Sequence, residues 1–253
     1  MNLALAGKGG AGKTTLSASM ARIIARRGLT VVAIDADSNP NLAMALGAPE
    51  AEFKALPISL VGRKLDGPRL TQPVRHVLAT HAVEVNDGVL LLRMGRPEHA
   101  DEGCMCSMHA TVGAVVQDLS GVPDTVTILD LEASPEHLGR GTARNSDLLI
   151  LVAEPYFRSL EAVRLQARLA GESPIKRTVV VANKIRSEAD RKAIEEFCER
   201  EQLPVIGTIP WDAAVLDADA ARASLIDFAP RSSVVRAVEA VVEFVMRSSE
   251  SRG

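Results

Sequence analysis

The chain has 253 residues, 47% of them hydrophobic and 24% charged, which is the balance of a globular protein with a sizeable core. Its formal net charge of −3 and its 3% of aromatic residues argue against partners such as nucleic acid or an anionic membrane. The start MNLALAGKGG does not resemble a signal peptide, and three cysteines are too few for a disulfide framework, so we expect a cytoplasmic protein with one domain over residues 1–253.

Short apolar runs rich in β-branched residues alternate with longer helical stretches. Such runs suit strands that are buried on both faces of a parallel sheet, and they occupy residues 3–6, 30–35, 125–131, 148–153, 178–183 and 204–209. Helices are predicted directly after the first run and near 157–171, 188–201, 213–223 and 232–247. This alternation predicts a doubly wound α/β fold, a mostly parallel sheet with helices on both faces.

Three segments need separate predictions. Residues 82–95 place Asn86-Asp87-Gly88 between two strand-like runs, which predicts an antiparallel hairpin at the sheet edge. Residues 47–73 are rich in glycine and proline and predict an irregular surface excursion with short helical pieces. The final helix carries valines at helical spacing. Its polar face balances acidic and basic residues, so packing on the core is favoured over binding to a membrane surface.

The stretch GKGGAGKT at residues 7–14 fits the strand–loop–helix pattern G-x-x-x-x-G-K-[ST] of a phosphate-binding loop. Its glycines allow backbone N–H groups to surround phosphate oxygens, and the next helix directs its positive end at them. Lys13 is expected to reach the β- and γ-phosphates, and the Thr14 hydroxyl to bind Mg²⁺. The predicted nucleotide-binding residues here are Gly7, Lys8, Gly9, Gly10, Ala11, Gly12, Lys13, Thr14 and Thr15.

Carboxylates follow two of the predicted strands. Asp35 and Asp37 end the run at 30–35, and Asp130 ends the run at 125–131. The crevice of an open α/β sheet lies at the carboxyl ends of its strands. Phosphoryl transfer needs a metal ion and a residue that orients the nucleophile. These three residues therefore predict an Mg²⁺-dependent site beside the phosphate loop.

Asn183-Lys184 matches part of the guanine-reading motif of GTPases, in which an aspartate follows the lysine by two residues. This chain has Arg186 at that position, so the usual acceptor for the guanine amino group is missing. We therefore expect ATP rather than GTP as the nucleotide.

Two of the three cysteines, Cys104 and Cys106, lie one residue apart in DEGCMCSMHA. Thiolates at this spacing can bind one soft or borderline cation, although two ligands do not complete a tetrahedral site. The others could be His99 and His109, or the same two cysteines of a second subunit. A redox pair is the main alternative. Cys198 lies beside Phe197 on a predicted helix and is expected to be a small buried hydrophobe.

With Lys8 included, the form K-G-G-x-G-K-T resembles the deviant phosphate loop of the MinD/ParA/nitrogenase-iron-protein class. The resemblance implies that Lys8 reaches across a homodimer to the partner's nucleotide, the alternative being a solvated lysine. It implies that Asp35 holds the water shell of Mg²⁺, that Asp37 orients the attacking water, and that Asp130 is the Walker B carboxylate. It places adenine beside GTIPWDAAV at 207–215, with contacts from Asn183, Pro210 and Asp212.

Two longer segments, 93–116 and 130–165, resemble the CooC-type maturation ATPases through G-C-x-C, E-H-L-G-R-G-T-A at 136–143 and E-P-x-x-R-S at 154–159. The likeness covers nearly the whole chain and is least clear over 47–81. It implies assistance to nickel insertion into the apo form of a carbon monoxide dehydrogenase. It also implies one Ni²⁺ or Zn²⁺ ion held by Cys104 and Cys106 of both subunits.

Two features depart from the family pattern. Ser134 stands where the class usually has a glycine whose N–H meets the γ-phosphate, and serine adopts a positive φ less readily. The run SMHAT after the cysteines is also unexpected.

The function expected from all these features is that of an ATP-dependent metallochaperone. One alternative is an iron–sulfur reductase or scaffold ATPase, which uses well-separated single cysteines. The other is a positioning ATPase of the MinD/ParA kind that acts on DNA or membrane, which the net charge disfavours.

Overall fold

A computed structural model describes residues 1–48, 52–64, 67–95, 105–134, 138 and 141–250. Every apolar run predicted as a strand forms one. The strands are β1 (Asn2–Gly7), β2 (Thr30–Ala36), β3 (Val61–Lys64), β4 (Gly67–Leu70), β5 (Val83–Val85), β6 (Val89–Arg93), β7 (Thr125–Leu131), β8 (Leu148–Ala153), β9 (Thr178–Ile185) and β10 (Val205–Pro210).

Nine helices are described in the same ranges. They are α1 (Lys13–Ala25), α2 (Leu42–Ala45), α3 (Val74–His81), α4 (Cys106–Leu119), α5 (Phe157–Gly171), α6 (Glu188–Arg200), α7 (Ala214–Ala220), α8 (Leu225–Phe228) and α9 (Ser233–Glu250). None of these helices combines the length and the apolar content needed to cross a lipid bilayer, within the residues that the structure describes.

Eight strands form one sheet in the order β10-β9-β8-β1-β7-β2-β6-β5. All neighbouring pairs are parallel except β5 and β6. The central strands β1, β7 and β8 are buried along their whole length, as their apolar sequences require. The predicted doubly wound, mostly parallel sheet is therefore confirmed.

Helices cover both faces of this sheet. One face packs on apolar side chains of α1 and α9, and the other on side chains of α4, α5 and α6. The valines of α9 are buried on the same face of the sheet as α1. They are Val234, Val235, Val238, Val241, Val242 and Val245. The amphipathic final helix is thus a core helix, as its balanced polar face indicated.

The predicted hairpin at 82–95 is present, with its turn at Asn86–Gly88. β6 also pairs in parallel with β2, so only β5 is the antiparallel edge strand. The segment 47–73 differs more from expectation, because β3 and β4 form a separate two-stranded antiparallel sheet that packs beside α4. Their sequences, VGRK and GPRL, lack a clear alternation of apolar and polar residues and so gave no strand signal.

Helix boundaries also differ from the prediction at one place. The helix expected over 213–223 ends at Ala220, and a further turn, α8, follows at Leu225–Phe228. Between them, Arg222 has a φ of 51°, in the left-handed region that does not continue a helix.

Candidate functional site

The phosphate loop connects β1 to α1 at the carboxyl end of the sheet, where β1 lies between β7 and β8. Two of its glycines are required by close packing. A Cβ on Gly7 would lie 2.6 Å from the carbonyl oxygen of Val152, and a Cβ on Gly12 would lie 2.4 Å from Nδ2 of Asn183. Both glycines also have positive φ angles, of 147° and 96°. The loop is therefore held closely against the ends of β8 and β9.

Lys13, the first residue of α1, is buried, and its ammonium donates to the carbonyl oxygen of Lys8 at 3.3 Å. Burial lowers the pKa of Lys13, while the carboxylates of Asp130 and Asp37 act in the opposite direction. A phosphate next to this ammonium would compensate for the desolvation and restore the charged form. The chemistry of the loop therefore fits the phosphates of a nucleotide.

Asp35 and Asp130 lie side by side, since they are paired residues of the neighbouring strands β2 and β7. Asp130 accepts a hydrogen bond from Ser17 at 3.0 Å and another from the hydroxyl of Thr14. Burial raises the pKa of Asp130 to about 7. Asp35 accepts from the amide of Leu42 at 2.9 Å, and burial raises its pKa to about 6.

A divalent cation favours the ionised form of nearby carboxylates. Two buried carboxyl groups of raised pKa, with the Thr14 hydroxyl on one of them, are therefore a donor set that fits Mg²⁺. These three residues are the set predicted from the sequence.

Asp37 follows β2 and is only half buried. Its carboxylate accepts from the amide of Asn39 at 2.8 Å, and its own amide donates to Asp35 at 3.3 Å. The carboxylate lies close enough to Lys13 to raise the pKa of that ammonium. Asp37 thus stands beside the phosphate loop with a carboxylate that is accessible to a water molecule.

A cavity of about 230 Å³ adjoins the loop on its β9 and β10 side. The three predicted adenine contacts, Asn183, Pro210 and Asp212, all line it together with Gly12 and Thr15 of the loop. Asn183 donates to the carbonyl oxygen of Ala11 at 2.7 Å. The apolar part of the lining comprises Leu16, Ile209, Trp211, Val215, Leu216, Val234 and Val238.

Arg186, Lys184 and Glu154 also line the cavity, and of these Glu154 had no predicted role. Arg186 places its guanidinium 4.7 Å from the centroid of the Trp211 ring. Glu154 directly follows β8 and is buried, and Lys184 pairs with it at 2.9 Å. The sequence did carry a signal for Glu154, because this charged residue directly follows a buried strand and begins the E-P-x-x-R-S stretch.

The segment after β7 approaches the phosphate loop, since a Cβ on Gly9 would lie 3.5 Å from Cβ of Ala133. Ser134 follows directly. The effect of this serine on the geometry next to a γ-phosphate stays a prediction.

Cys104 and His99 lie outside the described residues. Cys106 is the first residue of α4, and Cys198 is a buried free thiol, as expected. His109 is also buried, and its Nδ1 lies 2.9 Å from the hydroxyl of Thr142. No group of three or more His, Cys, Asp or Glu side chains suited to a metal ion occurs in the part of the chain that the structure describes.

Comparisons with known proteins agree with this arrangement. The family model described as the CobQ/CobB/MinD/ParA nucleotide binding domain matches residues 3–225. Carbon monoxide dehydrogenase accessory protein CooC of Rhodospirillum rubrum is 36% identical over 241 residues, which cover 91% of each chain. An uncharacterized ATP-binding protein of Methanocaldococcus jannaschii is 30% identical over 232 residues, covering 87% of this chain and 88% of that protein.

Among solved structures, the septum site-determining protein MinD of Pyrococcus horikoshii, complexed with Mg-ADP, superimposes with a TM-score of 0.73. The superposition covers 100% of this chain and 99% of the MinD chain. The sequence identity is 19%, so this likeness concerns the fold. Because the family model spans most of the chain and the two relatives match along nearly all of it, the chain belongs to the CobQ/CobB/MinD/ParA nucleotide-binding family and is an ATPase.

Proposed function

We propose that this ATPase is a metallochaperone that dimerises on binding nucleotide and metal and assists nickel insertion into a carbon monoxide dehydrogenase-type enzyme. The observation that carries the proposal is the 36% identity, over 91% of the chain, to a protein named as a carbon monoxide dehydrogenase accessory protein. The pair Cys104 and Cys106 supplies thiol ligands for such a cargo. We further propose that residues 1–253 act as one ATPase domain, in keeping with the single eight-stranded sheet.

The positions of the nucleotide-site residues support the roles that we propose for them. Lys13 neutralises the β- and γ-phosphates from its buried place at the start of α1, beside the glycine-rich loop and Thr14. Thr14, Asp35 and Asp130 hold Mg²⁺, in part through water, and the ion neutralises phosphate charge when it is bound. Asp37 orients the attacking water, and Lys8 acts on the nucleotide of the second subunit.

The base is held in the cavity beside β9 and β10. The carboxylate of Asp212, fixed by the amide of Ala214 at 3.0 Å and the hydroxyl of Ser233 at 2.8 Å, is a suitable acceptor for the exocyclic amino group of adenine. Asn183 and Pro210 line the same cavity. Thr15, at its border with the phosphate loop, completes the set of nucleotide contacts.

The cavity is expected to prefer ATP to GTP by about tenfold or more, because Arg186 occupies the position of the guanine-reading carboxylate. Its guanidinium lies against Trp211 and can only donate hydrogen bonds, whereas the guanine amino group needs an acceptor. Calorimetric titration of both nucleotides with Mg²⁺ measures the difference. An Arg186→Asp variant should reduce the difference in affinity between ATP and GTP. Equal affinities for the two nucleotides in the unmodified protein would show that the expected preference for ATP is wrong.

The metal prediction concerns stoichiometry. Each chain offers two neighbouring thiols, whereas Zn²⁺ in a closed site takes four ligands and thiolate-bound nickel has the same need. His109 is only 1% exposed, so its ring is not presented to an ion shared between two chains. A symmetric dimer brings two pairs together. We therefore expect one divalent ion for two chains, and metal alone should promote dimers because it binds the paired state.

The test is titration of zinc or nickel into fully reduced apo-protein, with mass measured by light scattering. Cys106→Ser should abolish tight binding, and the matched control Cys198→Ser should retain it, since that thiol is buried in the core. Binding should weaken at low pH, where thiolates are protonated. One ion per monomer without a change in mass would contradict the shared site.

The alternative to a metal site is a redox pair formed by Cys104 and Cys106. Thiol titration of protein equilibrated with a glutathione buffer separates the two functions. A pair that is reduced in a cytoplasmic glutathione mixture is available to a metal, whereas one that stays oxidised there would contradict the metallochaperone proposal.

A further inference from the structure

The side chain of Lys8, the additional lysine of the phosphate loop, already has a contact within its own chain. Its ammonium nitrogen lies 5.5 Å from the centroid of the Tyr156 ring. A cation at this distance from an aromatic face is attracted by the ring quadrupole. Tyr156 directly precedes α5 and is 40% exposed, so the contact lies at the surface of the molecule, beside the loop.

The Tyr156 ring is held in place by a chain of contacts that returns to the phosphate loop. Its hydroxyl donates to one oxygen of the Glu154 carboxylate at 2.8 Å. The other oxygen pairs with the ammonium of Lys184 at 2.9 Å, and that ammonium donates to the carbonyl oxygen of Gly10 at 2.5 Å. Contacts thus lead from Lys8 through Tyr156, Glu154 and Lys184 back to Gly10, and both ends lie on the loop.

Two properties indicate that this chain of contacts is well defined. Lys184 has a φ of 59°, a left-handed conformation that a residue other than glycine keeps only where its surroundings impose it. Burial and the neighbouring Glu154 raise the pKa of Tyr156 to about 12, so the hydroxyl stays protonated and continues to donate at physiological pH.

We propose that Tyr156 is a positioning residue for Lys8: fixed by Glu154 and Lys184, its ring retains the Lys8 ammonium on its own chain and opposes its transfer to the nucleotide of a second copy. The inference rests on the proposed function, in which Lys8 acts across a dimer. The lysine must leave the ring before it contacts a phosphate of the partner. The contact within the chain therefore raises the protein concentration at which ATP produces dimers.

The variants Tyr156→Leu and Tyr156→Phe separate the contribution of the aromatic ring from that of the hydroxyl group. Leucine removes the aromatic face and should lower the protein concentration for half-maximal dimerisation with a non-hydrolysable ATP analogue about two- to fivefold. Phenylalanine keeps the aromatic face but loses the hydroxyl bond to Glu154, so it should shift the midpoint in the same direction by less than leucine does. Analytical ultracentrifugation measures both. An unchanged or higher midpoint for Tyr156→Leu, or an equal shift in both variants, would overturn the proposal.

A second measurement needs neither nucleotide nor dimer. Lysines methylated with ¹³C-formaldehyde give one NMR signal each, and a Lys8→Arg variant assigns that of Lys8. The Tyr156 ring should shift the Lys8 signal upfield in the unmodified protein and in Tyr156→Phe, but not in Tyr156→Leu. The matched control is Phe157→Leu, which removes the adjacent ring, 74% exposed, and should leave the signal in place.

The two measurements distinguish the possible failures. If the unmodified protein does not dimerise with the ATP analogue, the proposed function is wrong, and the Lys8 signal still tests the contact. If it does dimerise while the Lys8 signal shows no ring shift, the positioning role of Tyr156 is wrong and the proposed function stands.

Discussion

Replacing Asp130 with asparagine is expected to stabilise the nucleotide-free protein at pH 8 and to remove Mg²⁺-dependent ATP hydrolysis. Asp130 is buried, and burial raises its pKa to about 7, well above the ordinary value of an aspartate. Asparagine cannot ionise but keeps the shape and an oxygen that accepts from Ser17. The loss of a charged ligand for the cation should lower turnover about 10²-fold or more.

The pH dependence follows from the direction of the pKa shift. An aspartate in the unfolded chain loses its proton near pH 4, whereas folded Asp130 retains it until about pH 7. Between these values the folded state binds more protons, so the free energy of unfolding falls as pH rises. Asp35, with a pKa of about 6, adds to the same trend. At pH 8 the asparagine variant should gain about 2–4 kcal/mol over the unmodified protein.

Urea unfolding in the presence of EDTA at pH 5 and pH 8 measures this effect. The unmodified protein should lose more stability between the two pH values than Asp130→Asn. The matched control is Asp217→Asn, because Asp217 is exposed on α7 and its replacement removes one negative charge without changing the buried pair. Equal losses in the Asp130→Asn variant and the unmodified protein would contradict the assignment of a buried, protonated carboxyl group.

The Asp37→Ala variant is expected to bind ATP with nearly unchanged affinity and to hydrolyse it about 10²- to 10⁴-fold more slowly. Asp37 follows β2 outside the phosphate loop, with a carboxylate near Lys13, so its loss leaves the main phosphate contacts in place. If Asp37 orients the attacking water, ATP-bound dimers should accumulate in this variant.

Single-turnover kinetics with light scattering tests this prediction against two contrasting variants. Lys13→Ala should weaken nucleotide binding itself, because the buried ammonium is lost. Lys8→Ala should bind ATP but neither dimerise nor turn over. Hydrolysis at the unmodified rate by Lys8→Ala would show that the trans-acting role is wrong, and a large loss of ATP affinity in Asp37→Ala would show that Asp37 does more than orient water.

The sequence by itself determined the features that depend on neighbours along the chain. The β-branched runs predicted six of the parallel strands, because a strand buried on both faces needs an almost continuous apolar sequence, although the edge strand β10 is only partly buried. The turn Asn86-Asp87-Gly88 predicted its hairpin because those residues accept positive φ angles, and Asp87 and Gly88 have values of 61° and 75°. The phosphate loop was equally local, since its glycines and lysine lie within eight residues.

Other elements escaped prediction because their local signals are weak. The helix α4 reads CSMHATVGAVVQDL, whose β-branched residues have no strong preference for a helix, and β3 and β4 lack a strand pattern. These elements form because they pack on one another, with α4 beside β3 and β4 and against the sheet. Tertiary packing thus overrides the intrinsic preference of each segment.

Only the tertiary structure decided the electrostatics of the site and the contacts of its lysines. The raised pKa values of Asp35 and Asp130 come from desolvation, which depends on what covers the ends of β2 and β7 rather than on their sequences. The contacts of Lys8 with Tyr156 and of Gly10 with Lys184 join residues about 150 to 170 positions apart, which no local pattern can predict. The physical reason is that strands distant in the chain are adjacent in the sheet, so their loops meet at one edge only after the sheet has formed.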